Sequence, residues 1–221
     1  MFNHPLFGVR LAFIVSLATF VLWCVAPTEA LIHVMEEGQL VETLTLYLYA
    51  VTLLYFIFRP NLPIALLTRC SIILALFAML AREADLHKVI DNMSLLKLRF
   101  WTGDLPLSDK LLALMIMLPI VAACLYLLKK HAKNVWVQAK RRKAYAVTTM
   151  TFIILIPLTN IADRSLGLLK ESFGWHAPLW LVALQTSQEE LLEMSLPVLA
   201  LVAAWQFRRD RNAKGVEQTH N

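Results

Sequence analysis

Apolar residues in this chain come in long, nearly unbroken runs instead of alternating with polar ones. Six segments stand out, at 9–27, 39–58, 62–83, 110–128, 144–162 and 180–207. Each is close to or above the roughly 20 residues that carry an α-helix across about 30 Å of hydrocarbon. A backbone in lipid has no water to bond to, so such a run has to satisfy its own N–H and C=O groups as a helix. The pattern predicts an all-α fold, a bundle of six transmembrane helices forming a single integral-membrane domain over 1–221. Pro119, Pro157 and Pro197 fall inside the last three segments. Each lacks the N–H for an i→i−4 bond and predicts a kink. The six glycines lie in loops or near the ends of the runs, which leaves no GxxxG packing pair.

The segments between the runs predict short interfacial helices. In 87–109, Val89, Ile90, Met93, Leu96, Phe100 and Trp101 are interleaved with Lys88, Lys97 and Arg99. They place Trp101 at headgroup level, and a second candidate is Ser165–Trp180, with Phe173, Trp175 and Trp180. Membrane lipids are the expected partners of both.

Composition supports the membrane class. Of 221 residues, 58% are hydrophobic and the mean hydropathy is +0.60. Soluble domains sit near 45–50% apolar. The net charge of +5 becomes informative once it is sorted by segment. With both termini inside, the inner segments hold Arg10, Arg59, Arg69, the run from Lys129 to Lys143, and Arg208, Arg209, Arg211 and Lys214. Fourteen of the sixteen acids then lie on the other side, all but Asp210 and Glu217. The positive-inside rule therefore predicts cytoplasmic N- and C-termini, with the expected location a bacterial inner membrane. The basic 129–143 loop reads as a topology determinant in contact with anionic headgroups. Nucleic acid is not an expected partner, because the aromatics are mostly intramembrane and form no basic stacking platform.

The first run imitates a secretory signal, with Arg10 ahead of Leu11–Val25 and small residues after it. Pro27, and Thr28 in place of a second alanine, spoil the cleavage site, and removal would upset the charge sorting. The first helix is expected to be retained. Cys24, Cys70 and Cys124 all lie within runs at no metal-like spacing, and read as small apolar filler.

The candidate chemistry lies where the runs meet the expected outer face. Glu42 sits at the start of the second run, with Thr45 and Tyr49 following at i+3 and i+7 on the same helix face. Glu189, Glu190 and Glu193 occupy the sixth. Glu193 is about 22 Å of helix from Arg208, well inside the apolar slab. The third run ends in Arg82, Glu83, Asp85 and His87. On a continuing helix Glu83 and His87 would share a face, as would Arg82 and Asp85. The fifth ends in Asn160, Asp163 and Arg164. A charged carboxylate near mid-membrane costs at least about 2.5–3.5 kcal/mol, so such groups face partners or a polar cavity.

Three readings follow. One is an outward-facing site for a cation, a small polar molecule or a lipid headgroup, with Glu42, Arg82, Asp85, Asn160, Asp163, Arg164, Glu189 and Glu190 as binding residues. Another is a membrane enzyme acting on a lipid or lipid-linked substrate, with Glu83 or Glu193 as general base and His87 as its partner. A third makes the charges packing locks in a structural subunit. Three histidines on the outer side, His33, His87 and His176, with a carboxylate would suit a divalent metal as cofactor, but no HxxxH, HExxH or CxxC spacing supports it. The chain has neither a phosphate-binding glycine loop nor a GxSxG elbow.

Overall fold

The computed structural model describes residues 2–35, 38–59, 64–86, 98–103 and 105–219. Among them the chain is all-helical, without a strand: α1 Phe7–Val25, α2 Thr28–Met35, α3 Leu40–Phe58, α4 Leu66–Glu83, α5 Leu98–Thr102, α6 Leu107–Lys140, α7 Ala144–Phe173 and α8 Leu179–Thr219. Five stretches are long and apolar enough to cross a membrane: Phe7–Val25, Thr28–Phe58, Leu107–Lys140, Ala144–Phe173 and Leu179–Ala213. The remaining expected span, 62–83, contains α4, which carries Arg69, Arg82 and Glu83 within its 18 residues. Large apolar side chains such as Phe13, Met115 and Ile161 stand exposed on the helices, a surface suited to hydrocarbon and not to water.

The last three helices overrun their apolar cores. Nothing in the sequence stops α6 before the Arg141–Lys143 turn, or α7 before Gly174. Gly174 takes the left-handed conformation (φ 65°) that closes α7, its N–H bonding Lys170 O at 2.9 Å. Residues 165–173, expected as a separate interfacial segment, therefore extend α7. Short helices in the expected outer segments are instead α2, which the run pattern did not resolve, and α5. Residues 87–97 of the other interfacial candidate lie outside the described residues. Pro119, Pro157 and Pro197 all sit within continuous helices.

Two compact units are present, with boundaries falling inside α3 and α6. The first comprises Met1–Leu48 and Asn134–Asn221. In it α1 and α7 run alongside each other and opposite to α8. Trp23 Nε1–H bonds Trp180 O at 2.8 Å at one end of the group. Gln188 Nε2–H reaches Ser16 Oγ at 2.7 Å further along. At the other end Gln206 is almost fully buried. It donates to Phe2 O at 2.6 Å and accepts from Thr148 Oγ1 at 2.9 Å. Gly8 belongs to the first turn of α1 and packs directly on α7. A Cβ there would come within 2.9 Å of Thr148 Cα. Close packing in lipid favours small residues, so this glycine, read from the sequence as peripheral, is a helix–helix contact. α1 is thus packed into the unit along its whole length. α2 folds back on α8, where Leu31, Met35, Val41 and Ala183 form a buried cluster flanked by Trp23, Leu191 and Met194.

The α6–α7 turn has an unusual backbone. Arg142 adopts φ 56°. Its N–H bonds Ala139 O at 2.9 Å, while that of Lys143 bonds Gln138 O at 3.0 Å. This is the double closure of a Schellman motif, whose left-handed position normally belongs to glycine. An L-residue there costs about 1–2 kcal/mol.

The second unit, Tyr49–Lys133, is held at one end by Arg69. The guanidinium donates to Phe56 O at 2.6 Å and to Ile57 O. These carbonyls end α3 and have no partner in their own helix, so a cation is the natural cap. Thr68 bonds Tyr126 Oη at 3.2 Å and His131 Nε2 at 3.1 Å, tying α4 to α6. Phe100 of α5 and Ala113 of α6 form a small buried cluster with Trp101, Leu105 and Met117.

Candidate functional site

α8 concentrates the polar chemistry of the first unit. From Trp180, Gln185, Ser187, Gln188, Glu189, Glu190 and Glu193 lie on its first half, followed by Ser195. Beyond that, 196–205 is wholly apolar, and polarity resumes at Gln206. Along the axis Glu193 stands about 20 Å from Trp180 and about 20 Å from Gln206, midway between the two ends.

Glu193 is 6% exposed. Its neighbours on the helix are also enclosed: Ser187, Leu192, Ser195, Leu196 and Pro197 are all buried. Ser187 Oγ donates to Ala183 O at 2.6 Å and Ser195 Oγ to Leu192 O at 2.6 Å, so both hydroxyls are turned onto their own helix. Pro197 has no N–H to give the Glu193 carbonyl, which leaves that oxygen outside the regular helix ladder. Glu189 and Glu190 are half-buried. Gln185 Nε2 donates to Ala162 O at 2.9 Å, Asp163 O at 3.2 Å and Glu189 Oε2 at 3.3 Å. The column is therefore anchored to α7 by Gln185 and to α1 by Gln188, with Glu193 at its inner limit. Glu189, Glu190 and Glu193 each have an interaction partner.

Other expected site residues fall into different settings. Glu42 is half-buried in the first turn of α3 and accepts the N–H of Gly38. A glutamate three residues into a helix commonly reaches back to a donor ahead of it in this way, so part of its acceptor capacity goes into starting α3. Thr45 below it is fully buried and bonds Val41 O at 2.9 Å. Tyr49 and Thr52 continue the same helix face and are buried too. Asn160 donates to Ile156 O at 2.7 Å, on its own helix. Asp163 and Arg164 are exposed. Asn160 and Arg164 line a shallow groove of about 730 Å³ along α7 together with Ile161, Leu168 and Phe173.

Arg82, Glu83 and Asp85 belong to the second unit, half-buried at the end of α4, and none is without a partner. The helix does not continue as expected. α4 stops at Glu83, and Asp85 takes a left-handed backbone (φ 54°), its N–H bonding Arg82 O at 3.1 Å. Aspartate tolerates that conformation better than most residues. The helix on which Arg82 and Asp85 were expected to share a face thus ends before Asp85, and His87, the expected partner of Glu83, lies outside the described residues. His33 and His176 are exposed. His176 Nδ1 contacts Gly174 O at 3.1 Å. Among the described residues, no three histidine, cysteine or acidic side chains gather as a metal site would require.

Two polar groupings had no motif to announce them. The contact of Gln206, Thr148 and Phe2 joins residues far apart in the chain. The group formed by Thr68, Tyr126, Lys130 and His131 is completed by Lys130 Nζ donating to Tyr126 Oη at 2.8 Å. The only sequence hint was a polar residue inside or beside an apolar run.

Five helices long and apolar enough to cross a membrane define the class, an α-helical integral-membrane protein. In comparisons with known proteins, no family model matches the chain, and neither a curated protein nor a solved structure matches it significantly.

Proposed function

We propose that this is a multi-pass membrane protein with six spans and cytoplasmic termini, and that it binds a small cation or protonated amine, free or as part of a lipid headgroup, at a one-sided site centred on Glu193. The observation that carries this is the placement of a nine-tenths buried carboxylate midway along α8 between Trp180 and Gln206. A charged carboxylate at such depth is costly in hydrocarbon and is held there by polar partners or a ligand. Glu189 and Glu190 above it add negative charge, and the glutamines beside them offer neutral acceptor oxygens. A hard cation or ammonium group is the natural complement to oxygen donors of this kind. The column runs from the Trp23–Trp180 end, which the positive-inside rule makes the outer one. Its end at the apolar 196–205 stretch favours binding or catalysis from one side over passage through the protein. The six-span count takes α4 as a span despite its three ionisable side chains. Arg69 and Arg82 lie near the two ends of that helix, where long side chains reach the interface.

The test is a titration of purified protein in neutral detergent with monovalent cations, divalent cations and ethanolamine, read by tryptophan fluorescence. Trp23 and Trp180 lie at the mouth of the column. The expected result is a saturable response to at least one of these ligands, lost in Glu193→Gln, with that variant accumulating in the membrane as wild type does. An unchanged response in the variant, or its failure to assemble, would show that Glu193 packs the bundle instead of binding.

A further inference from the structure

A second site lies at the opposite end of the first unit. There the residues just before α1, the α6–α7 turn and the 206–213 stretch of α8 border a cavity of about 290 Å³, lined by Asn3, Arg142, Lys143, Tyr145, Gln206 and Arg209 among others. We infer that this cavity holds the phosphate of an anionic phospholipid headgroup.

Charge comes first. Three cationic side chains, from two separate segments, border one cavity. The acid that lines it, Asp210, is engaged by Lys143 at 3.0 Å. Arg142 and Arg209 have no carboxylate partner among the described residues. Arg209 instead stacks over the Trp205 ring at 5.6 Å, which orders its guanidinium without neutralising it. Two such guanidinium groups suit the paired oxygens of a phosphate.

Depth comes second. From Trp180 to Gln206, α8 rises about 39 Å, close to the thickness of a bilayer with its headgroup layers. If the Trp23–Trp180 end lies at one interface, the cavity lies at headgroup level of the other. Under the positive-inside rule that is the cytoplasmic leaflet, whose anionic lipids attract basic segments. A phosphate arriving there is membrane-borne.

Backbone comes third. Arg142 occupies a left-handed position (φ 56°) that glycine would fill without strain. An unfavourable conformation retained at the lip of a cavity is the kind of outlier that accompanies binding. Next to it the N-cap of α7, Lys143, provides no side-chain cap to the first N–H groups, so that helix end also favours an anion. This proposal rests on the membrane class of the chain and not on the site at Glu193.

The same outlier supplies a clean test. Arg142→Gly removes the cation while relieving the backbone, so the variant folds. Arg209→Gln is the second variant. Full-length protein in neutral detergent is titrated with phosphatidylglycerol, with phosphatidylcholine and with inorganic phosphate, using thermal unfolding and native mass spectrometry. Phosphatidylglycerol is expected to bind and raise the unfolding temperature where phosphatidylcholine does not, and each variant is expected to bind it about fivefold more weakly. Equal phosphatidylglycerol binding by both variants would overturn the proposal. So would stabilisation by inorganic phosphate alone equal to that by the lipid, since the site would then read phosphate from solution.

Discussion

Single side chains decide more here than the apolar runs do. Gln206 is almost fully buried and satisfies both Thr148 and the Phe2 carbonyl. Replacing it by leucine leaves the buried Thr148 hydroxyl without this partner, at about 1–3 kcal/mol, and releases the Phe2 carbonyl. Gln206→Leu should therefore lower the thermal unfolding temperature in detergent, while Gln206→Glu, which keeps the acceptor oxygen for Thr148 but loses the donor to Phe2, should also lower it. Gly8 is equally constrained. Its missing Cβ would sit 2.9 Å from the Thr148 backbone. Gly8→Val should force α1 away from α7 at about 1–3 kcal/mol, the usual range for overpacking, and reduce the amount of folded protein recovered. Neither residue was marked as important by its sequence, because a contact between residues 2, 148 and 206 has no local signature.

At the scale of elements, Pro197 separates the polar stretch of α8, 185–195, from the apolar stretch that runs to Trp205. The proline takes a backbone donor away from Glu193 in the stretch where the polar column ends. Pro197→Ala restores that donor and a favourable helix residue. The expected outcome is a protein at least as stable as wild type but with weaker cation response, a split that stability and fluorescence titrations would register separately. A loss of stability with an unchanged response would mean that the proline serves packing. The apolar stretch of α8 and the other runs were legible in the sequence because composition alone dictates a helix in lipid. Short α2 was not, since eight residues carry too little periodicity. The stop at Asp85 was missed because a left-handed aspartate leaves no mark like that of a glycine. The overrun of α7 to Phe173 is not legible in the apolar pattern, because Gly174, and not the last apolar residue of the run, ends the helix.

For the whole molecule, the sorting of charge meets the geometry of the first unit. Arg142, Lys143 and Arg209 converge at the end opposite Trp23 and Trp180. Three of the bases that the sequence assigns to one side thus gather at one end of that unit. Convergence of acids from four helices was the expectation the sequence could not settle. Spacing along one helix orders Glu189, Glu190 and Glu193, but it does not fix neighbours on other helices. The topology has its own check. A cysteine introduced at Val135 should react with a membrane-impermeant thiol reagent only after the cytoplasmic face is opened. Labelling in intact cells would reverse the orientation proposed here.

The central claim is that the buried carboxylate of Glu193 itself meets the ligand, and infrared difference spectroscopy addresses that group directly. Spectra are recorded for membrane-reconstituted protein with and without the cation identified by titration. The account predicts a carboxylate band change in wild type that disappears in Glu193→Gln and persists in Glu42→Gln, whose wild-type side chain helps start α3. A band change that survives in Glu193→Gln, or vanishes only in Glu42→Gln, would contradict it.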